Sequence, residues 1–327
     1  MSSDPRIVRA SFTDGARWLT DGANLVGRGG GALVRVAAWL VVLSLLQAVP
    51  LIGLPLMIVI SPVLTGGLLG IFSRLDGDGA SPEAVAYPST ALFDGFREAS
   101  VRSRLLGLGG LLLLGLFASL LVLGAWLSPQ MDLEALNALM ADPQRMEQEP
   151  DALFSLFEGV NLLGGIALAA GVLALVLGAL YFAVPLVFFW RWPLFAALLW
   201  SLRAALVNWA AFLAYGLVLV GVLFLAGLLF VMLGGLLTLA LGTFGQMMAQ
   251  LLSVLISLFV QLLFAAAQWR AFRQVFPAGG GPGGSRGFGA ADDAADRPAG
   301  GPPGGSSDDS PNGSSNGPPD RPTDLRA

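Results

Sequence analysis

The stretch AALVNWAAFLAYGLVLVGVLFLAGLLFVMLGGLLTLALGTFGQMMAQLLSVLISLFVQLLFAAAQW, residues 204–269, contains no charged side chain. It is long enough for two bilayer crossings of roughly 20 residues each with a turn between them. Apolar side chains are stable in hydrocarbon, whereas an Arg or Asp at a helix centre costs roughly 2.5 to 3.5 kcal/mol on insertion scales. This run therefore belongs in a membrane, and the pattern predicts spans over 209–236 and 246–269 joined by Gly242-Thr243-Phe244-Gly245. Arg270 and Arg273 stop the second of them.

Working outward, the same alternation of long apolar runs and short charged connections covers residues 32–276. Trp190, Trp192 and Trp200 with Arg191 and Arg203 precede the central stretch, and amphipathic rings and snorkelling cations mark a headgroup level, so 194–207 reads as an interfacial helix. Before it, 161–189 reads as a span kinked at Pro185. Residues 105–127 form another span. The uncharged stretch 36–73 divides at Pro50-Leu51-Ile52-Gly53-Leu54-Pro55 into spans at 36–50 and 54–73. Residues 74–104, with Leu92, Phe93 and Phe96 on an apolar face, read as a second interfacial helix. Gly15, Trp18, Leu19, Gly22, Leu25 and Val26 share one face of a first such helix within 1–31. The expected fold is an all-α polytopic bundle: six transmembrane helices as three hairpins, each preceded by a short interfacial helix. Loose alignment of the three units on Arg28, Arg102 and Asn208 predicts a threefold pseudo-repeat.

Composition agrees with lipid as the solvent. Soluble chains carry about 25% charged residues, and this one carries 12% with a mean hydropathy of +0.73. Cys and His are both absent, which removes thiolate and imidazole ligands, disulfides and the commonest acid/base side chain. The net charge of −4 conceals segregation. Residues 128–158 hold seven acids and one Arg, and the tail 277–327 holds seven Asp and four Arg, whereas the remainder has thirteen Arg against eight acids. Only Arg145 lies in a loop that follows an odd-numbered span. The positive-inside bias then places both termini in the cytoplasm, with 128–158 as an outer acidic loop. Short surface helices are expected there after Asp132 and after Pro150-Asp151. The tail of Gly, Pro, Ser and Asp has little to bury and is expected to be disordered.

Two faces stand out as candidate sites. On span six, Gln246, Gln250, Ser253, Ser257, Gln261 and Gln268 recur at helical spacing and form a polar seam. Either it lines a path for a neutral solute, or its amides hydrogen-bond to neighbouring helices and fix their register. On span four, Gly164, Ala167, Gly171, Ala174 and Gly178 form a stripe of small residues, the mode by which membrane helices approach closely. The spans contain no carboxylate, which disfavours a proton- or ion-coupled pump. The acids of 128–158 have no calcium-loop spacing, and the glycines at 29–31 and 279–284 lack the Lys-Ser/Thr of a phosphate loop. No cofactor, metal, catalytic residue or nucleic-acid partner is expected. The expected partners are the lipid bilayer and other membrane proteins, including further copies of the chain.

The segments RWLTDG (17–22), AVPLIGLPL (48–56), SPVLTGGL (61–68), LFDGFR (92–97), YFAVPLVFF (181–189), NWAAFLAYGLV (208–218) and QWRAFRQVF (268–276) carry a resemblance. Together they resemble a family of uncharacterised bacterial six-span inner-membrane proteins. More distantly, the helix-plus-hairpin unit is similar to the membrane region attached to some glycerophosphodiester phosphodiesterases. The resemblance implies an inner-membrane location and a membrane part without the phosphodiesterase's acidic metal site. It transfers no catalytic residue. The expectation is a non-enzymatic membrane scaffold or accessory subunit; the alternative is a channel or carrier for a neutral or amphipathic solute along the span-six seam.

Overall fold

The computed structural model describes residues 6–77, 89–132, 134, 137, 141 and 159–277, and among these every regular element is a helix. The surface helices expected within 133–158 and the tail beyond Pro277 lie outside the described residues, apart from the isolated positions just given. Among the described residues, six helical segments are apolar and long enough to cross a bilayer: Gly30–Gln47, Gly53–Leu75, Ala99–Leu127, Leu162–Trp190, Trp209–Leu241 and Thr243–Val275.

Helix α1 (Phe12–Arg28) begins with a capping box. The Asp14 N–H donates to Ser11 Oγ at 3.3 Å, while the Asp14 carboxylate accepts the Ser11 N–H at 2.7 Å, so two donors that a helix start would otherwise leave open are satisfied. The Ser11 hydroxyl first, and the Ser11 backbone N–H second, hold the Asp14 carboxyl below the usual carboxylate range. A lowered folded value stabilises the helix fully above the unfolded value and loses that contribution as pH falls through the folded one. Exchange protection of the α1 amides should therefore decline on acidification below about pH 4. Ser11→Ala should cost α1 about 1 kcal/mol and flatten that decline, as read by hydrogen exchange.

The apolar face of α1 is present, but protein covers it instead of headgroups. Gly15, Trp18, Leu19, Gly22 and Leu25 are buried, and α1 packs on the start of α9 (Trp209–Leu241) and the end of α10 (Thr243–Val275). Glycine permits this. A Cβ on Gly15 would lie 1.9 Å from the Ala211 carbonyl oxygen, so only a residue without one lets the two backbones meet. Trp18 Nε1 then donates to Gln274 Oε1 at 2.7 Å. Just upstream, Val8 N–H donates to Val275 O at 3.0 Å and Ala10 N–H to Asn208 Oδ1 at 2.7 Å, which seams the N-terminal segment to the third hairpin.

The first hairpin consists of α2 (Gly30–Ser44), a single 3-10 turn (Leu45–Ala48) and α3 (Gly53–Leu75). Its first helix starts ahead of Arg35, earlier than the charge pattern implies, because an exposed Arg near a span end can reach the headgroups by its stem. The second interfacial helix is reduced among the described residues to a 3-10 turn (Ser89–Phe93) and the short α4 (Asp94–Arg97). Glu98, extended at φ −98° and ψ 119°, separates α4 from α5 (Ala99–Leu127), so Arg102 falls inside a span-bearing helix and not at a junction. In the first and third units the junction residues are Gly29 and Asn208, between helices that follow one another almost without a loop.

Span four divides into α6 (Leu162–Tyr181) and α7 (Ala183–Trp190), followed by α8 (Leu194–Val207). The bulky buried side chains, among them Trp18, Phe72, Phe182, Trp269, Phe272 and Phe276, collect towards the end of the spans that carries α1 and the end of α10. Away from that end, α9 buries no residue from Gly216 to Leu233.

Candidate functional site

The break in span four gathers buried hydrogen bonds from two neighbouring helices. Proline has no N–H, so Pro185 leaves the Tyr181 carbonyl without the donor an unbroken helix would supply. Gln268 Nε2, on α10, donates to that carbonyl. One turn earlier, the Ser201 hydroxyl of α8 accepts the Phe182 N–H at 2.9 Å and donates to Gly178 O at 3.2 Å, standing in for the direct bond that would join those two groups. Both side chains are buried, Ser201 completely. Two neighbouring elements thus stitch one broken helix, which suits a medium where an open backbone group has no water to turn to.

Pro62 in α3 shows the local solution to the same problem. The preceding Ser61 donates its hydroxyl to Ile58 O at 2.8 Å, the carbonyl that Pro62 frees, and α3 continues. Val184 precedes Pro185 and has no hydroxyl, so the remedy has to come from another helix.

Around the break, Tyr181 and Tyr215 pack with ring centroids 6.0 Å apart, and Phe264 lies 6.1 Å from each. The hydroxyls of both tyrosines and Oε1 of Gln268 are buried there without a well-formed hydrogen bond. A group of this kind costs stability, because its lost hydration is not offset.

The six-residue seam of span six does not act as one unit. Gln268 belongs to the repaired break. Ser253 donates to the Gln250 carbonyl of its own helix at 2.7 Å and is half-buried. Gln246, Gln250, Ser257 and Gln261 are exposed on the outer surface of α10. The residues that face α9 lie on a different side of the helix, at Gly245 and Ala249: a Cβ on Gly245 would lie 1.9 Å from Leu237 O, and Ala249 meets Gly234. Among the described residues, the exposed amides therefore pair with no other helix. A shallow cleft nearby is lined by Phe230, Val231, Gly234, Thr238, Leu239 and Ala249, none of them from the seam.

The small-residue stripe of span four is displaced in a similar way. Ala167, Gly171 and Ala174 are exposed, and a Cβ on Gly171 would have nothing within 4 Å. Gly164 lies against the side chain of Asn161, the α6 N-cap, and a Cβ on Gly178 would lie 3.8 Å from that of Ala205. Packing against α5 uses the adjacent row instead. Gly165 meets Trp126, Ser119 Oγ donates to Ala169 O at 2.8 Å, and Val176 meets Gly115. The glycines and alanines of α6 occupy much of its circumference, so the sequence offered several small-residue rows and gave no ground for choosing between them.

The charged rim carries ion pairs that the sequence pattern alone does not single out. Asp76, at the end of α3, has a side chain only 5% exposed and contacts Arg270 at 2.9 Å and Arg273 at 2.6 Å, with Trp269 Nε1 donating to it at 3.1 Å and Arg28 3.8 Å away. It ties α1, α3 and α10 together. The sequence signal was one acid directly after a span, to be matched with the arginines that close the last one. Asp94 similarly pairs with Arg74 at 3.5 Å and Arg97 at 3.2 Å, and Arg191 with Glu98 at 2.9 Å.

Among the described residues no group of three or more Asp or Glu could hold a metal ion. Asp132 and Glu134 of the acidic loop are described, while Asp142, Glu147, Glu149, Asp151 and Glu158 are not. No family model matches this chain, and no curated protein or solved structure is significantly similar to it. The functional reading therefore rests on the chain's own geometry.

Proposed function

We propose that this protein is a non-enzymatic scaffold or accessory subunit of a bacterial inner membrane, assembling with further copies of itself or with other membrane proteins, and that both of its termini are cytoplasmic. The observation that carries this reading is the exposure of Gln250, Ser257 and Gln261 along the part of α10 that crosses the hydrocarbon. Amides are poorly solvated by lipid, and their satisfaction by another helix contributes about 0.6 kcal/mol each on average. The exposed row Ala167, Gly171 and Ala174 on α6 supplies a second surface of the type that membrane helices use for close approach. The orientation is supported by the thirteen arginines outside the acidic loop and tail, all of which lie before or in the opening turns of odd-numbered spans, or in the closing turns of or after even-numbered ones. The resemblance to uncharacterised six-span inner-membrane proteins is consistent with this assignment.

The chain has no Cys, so a single introduced one can cross-link only to another molecule. Gln250→Cys or Gln261→Cys, oxidised in native membranes, should give a higher-mass conjugate, whereas Phe224→Cys on the exposed apolar surface of α9 should give much less. Uncross-linked monomer at all seam positions would remove the scaffold reading. The alternative, a channel or carrier for a neutral solute between chains, shares the amide face. It would be favoured by a solute permeability of reconstituted vesicles that Gln250→Leu with Gln261→Leu abolishes.

A further inference from the structure

A groove of about 530 Å³ lies where the N-terminal segment meets α8 and the first turn of α9. Its formation follows from the seams already described. Asn208 caps α8 by donating to Ala204 O at 2.9 Å and accepts the Ala10 N–H, which brings Arg9 alongside Arg203 of α8. The remaining wall is apolar: Leu199, Leu206 and Trp209, each more than 60% exposed, together with Leu202.

Two properties of this groove point to one kind of occupant. First, it contains two guanidinium groups and no carboxylate. Among the described residues neither Arg9 nor Arg203 has an ion pair, in contrast to Arg74, Arg97, Arg191, Arg270 and Arg273 on the same rim. Arg203 is instead held over the ring of Trp200 at 5.0 Å, which restrains its stem and leaves its N–H fork available. Second, the apolar wall is continuous with the lipid-facing surface. Phe195, Leu199 and Leu206 project from α8, and α9 continues from Trp209 with Leu213 and Leu217 exposed. An anion that fits here has to carry hydrocarbon.

We infer that the groove is a binding site for an anionic phospholipid, with the headgroup phosphate between Arg9 and Arg203 and the first part of an acyl chain along Leu199, Leu206 and Trp209. Planar guanidinium groups bind phosphate oxygens bidentately. The volume of this open groove is in the range that accommodates a headgroup with its first methylenes. Diffuse attraction of basic residues to an anionic surface would act on all rim arginines alike, whereas a built site depends on these two.

The test uses the full chain in mild detergent with phosphatidylglycerol or phosphatidylcholine added at equal concentration and retained lipid counted by native mass spectrometry. Phosphatidylglycerol should be retained in preference. Arg9→Gln or Arg203→Gln should each weaken its retention about tenfold, as expected for loss of one charge-assisted contact. Arg203→Lys should retain part of it. Arg102→Gln, at an exposed arginine outside the groove, should leave it unchanged. Equal losses at Arg102 and Arg203 would reduce the site to diffuse attraction, and full retention by the Arg9→Gln/Arg203→Gln double variant would overturn it. Glycerol phosphate competing as well as the whole lipid would overturn the acyl-chain part. Neither arginine supports the fold through an ion pair, and an unchanged thermal midpoint of each single variant verifies that it is folded.

Discussion

Replacing Gln268 with Met, which keeps the length of the side chain and removes its amide, should lower the stability of the bundle by about 1.5 to 2 kcal/mol, at the upper end for polar contacts between membrane helices. Such contacts average only about 0.6 kcal/mol because helices separated in the membrane find other partners for the same groups. Here the acceptor is an exception. Pro185 deprives the Tyr181 carbonyl of its own helical donor whether or not the helices are assembled, so the separated state offers no local substitute. The mechanism can be isolated. Pro185→Ala restores an N–H to α7, after which Gln268→Met should cost less, and the double-mutant cycle should show a coupling of about 1 kcal/mol. Ser201→Ala, which opens both the Phe182 N–H and the Gly178 carbonyl, should fall in the same range. Tyr215→Phe should be neutral or slightly stabilising, since it removes a buried hydroxyl that makes no well-formed hydrogen bond. Thermal unfolding in detergent, with assembly measured in parallel, reads all four. Costs for Gln268→Met and Tyr215→Phe that were equal would show that side-chain volume, and not the orphaned carbonyl, governs this region.

This contrast between Gln268 and Gln250 also marks how far the sequence could be read. Hydropathy and the placement of arginines define six spans and the rim on which charge collects, because hydrocarbon penalises ions wherever they lie along a helix. Helical spacing equally places Gln246, Gln250, Ser257, Gln261 and Gln268 on one stripe. It says nothing of what faces that stripe, and the neighbour changes along the helix axis. At Gln268 α10 is enclosed by other elements, and α1 packs against it at Gly22 and Ala267; at Gln250 it has α9 on another side and lipid before it. A stripe can therefore be buried at one end and exposed at the other. The same limit applies to α6, where several rows of small residues were available and Gly165 and Ala169, not Gly171, meet α5. Asp76 shows the opposite case. Its role depends on three segments distant in sequence, but a lone acid at a span end opposite closing arginines is a legible cue once charge pairing across hairpins is considered.

The second large effect concerns α1, which an interfacial reading would leave free to lie in the headgroups. Gly15→Val should detach it. The added Cβ would sit 1.9 Å from the Ala211 carbonyl oxygen, and that neighbour is backbone within α9, so no rotamer change relieves the overlap. The helix must lift, and lifting uncovers Trp18, Leu19 and Leu25, each nearly or fully buried. Fully burying one such side chain contributes about 1.5 to 3 kcal/mol, so the loss should exceed that of Gln268→Met if α1 separates entirely. The Trp18 bond to Gln274 and the Arg28 approach to Asp76 would be lost with it. Hydrogen exchange over Phe12–Arg28 should rise sharply while the amides of α3 and α5 keep their protection, because α1 rests chiefly on the third hairpin. Gly27→Ala is the matched control: a Cβ there meets nothing within 4 Å, and replacing glycine inside a helix should gain up to about 1 kcal/mol. A Gly15→Val protein with wild-type exchange across α1 would mean that the helix is held by the bilayer and not by its contact with Ala211. In that case the glycine at 15 would have no packing role, and the close approach of α1 to α9 would not be what anchors the N-terminal segment to the bundle.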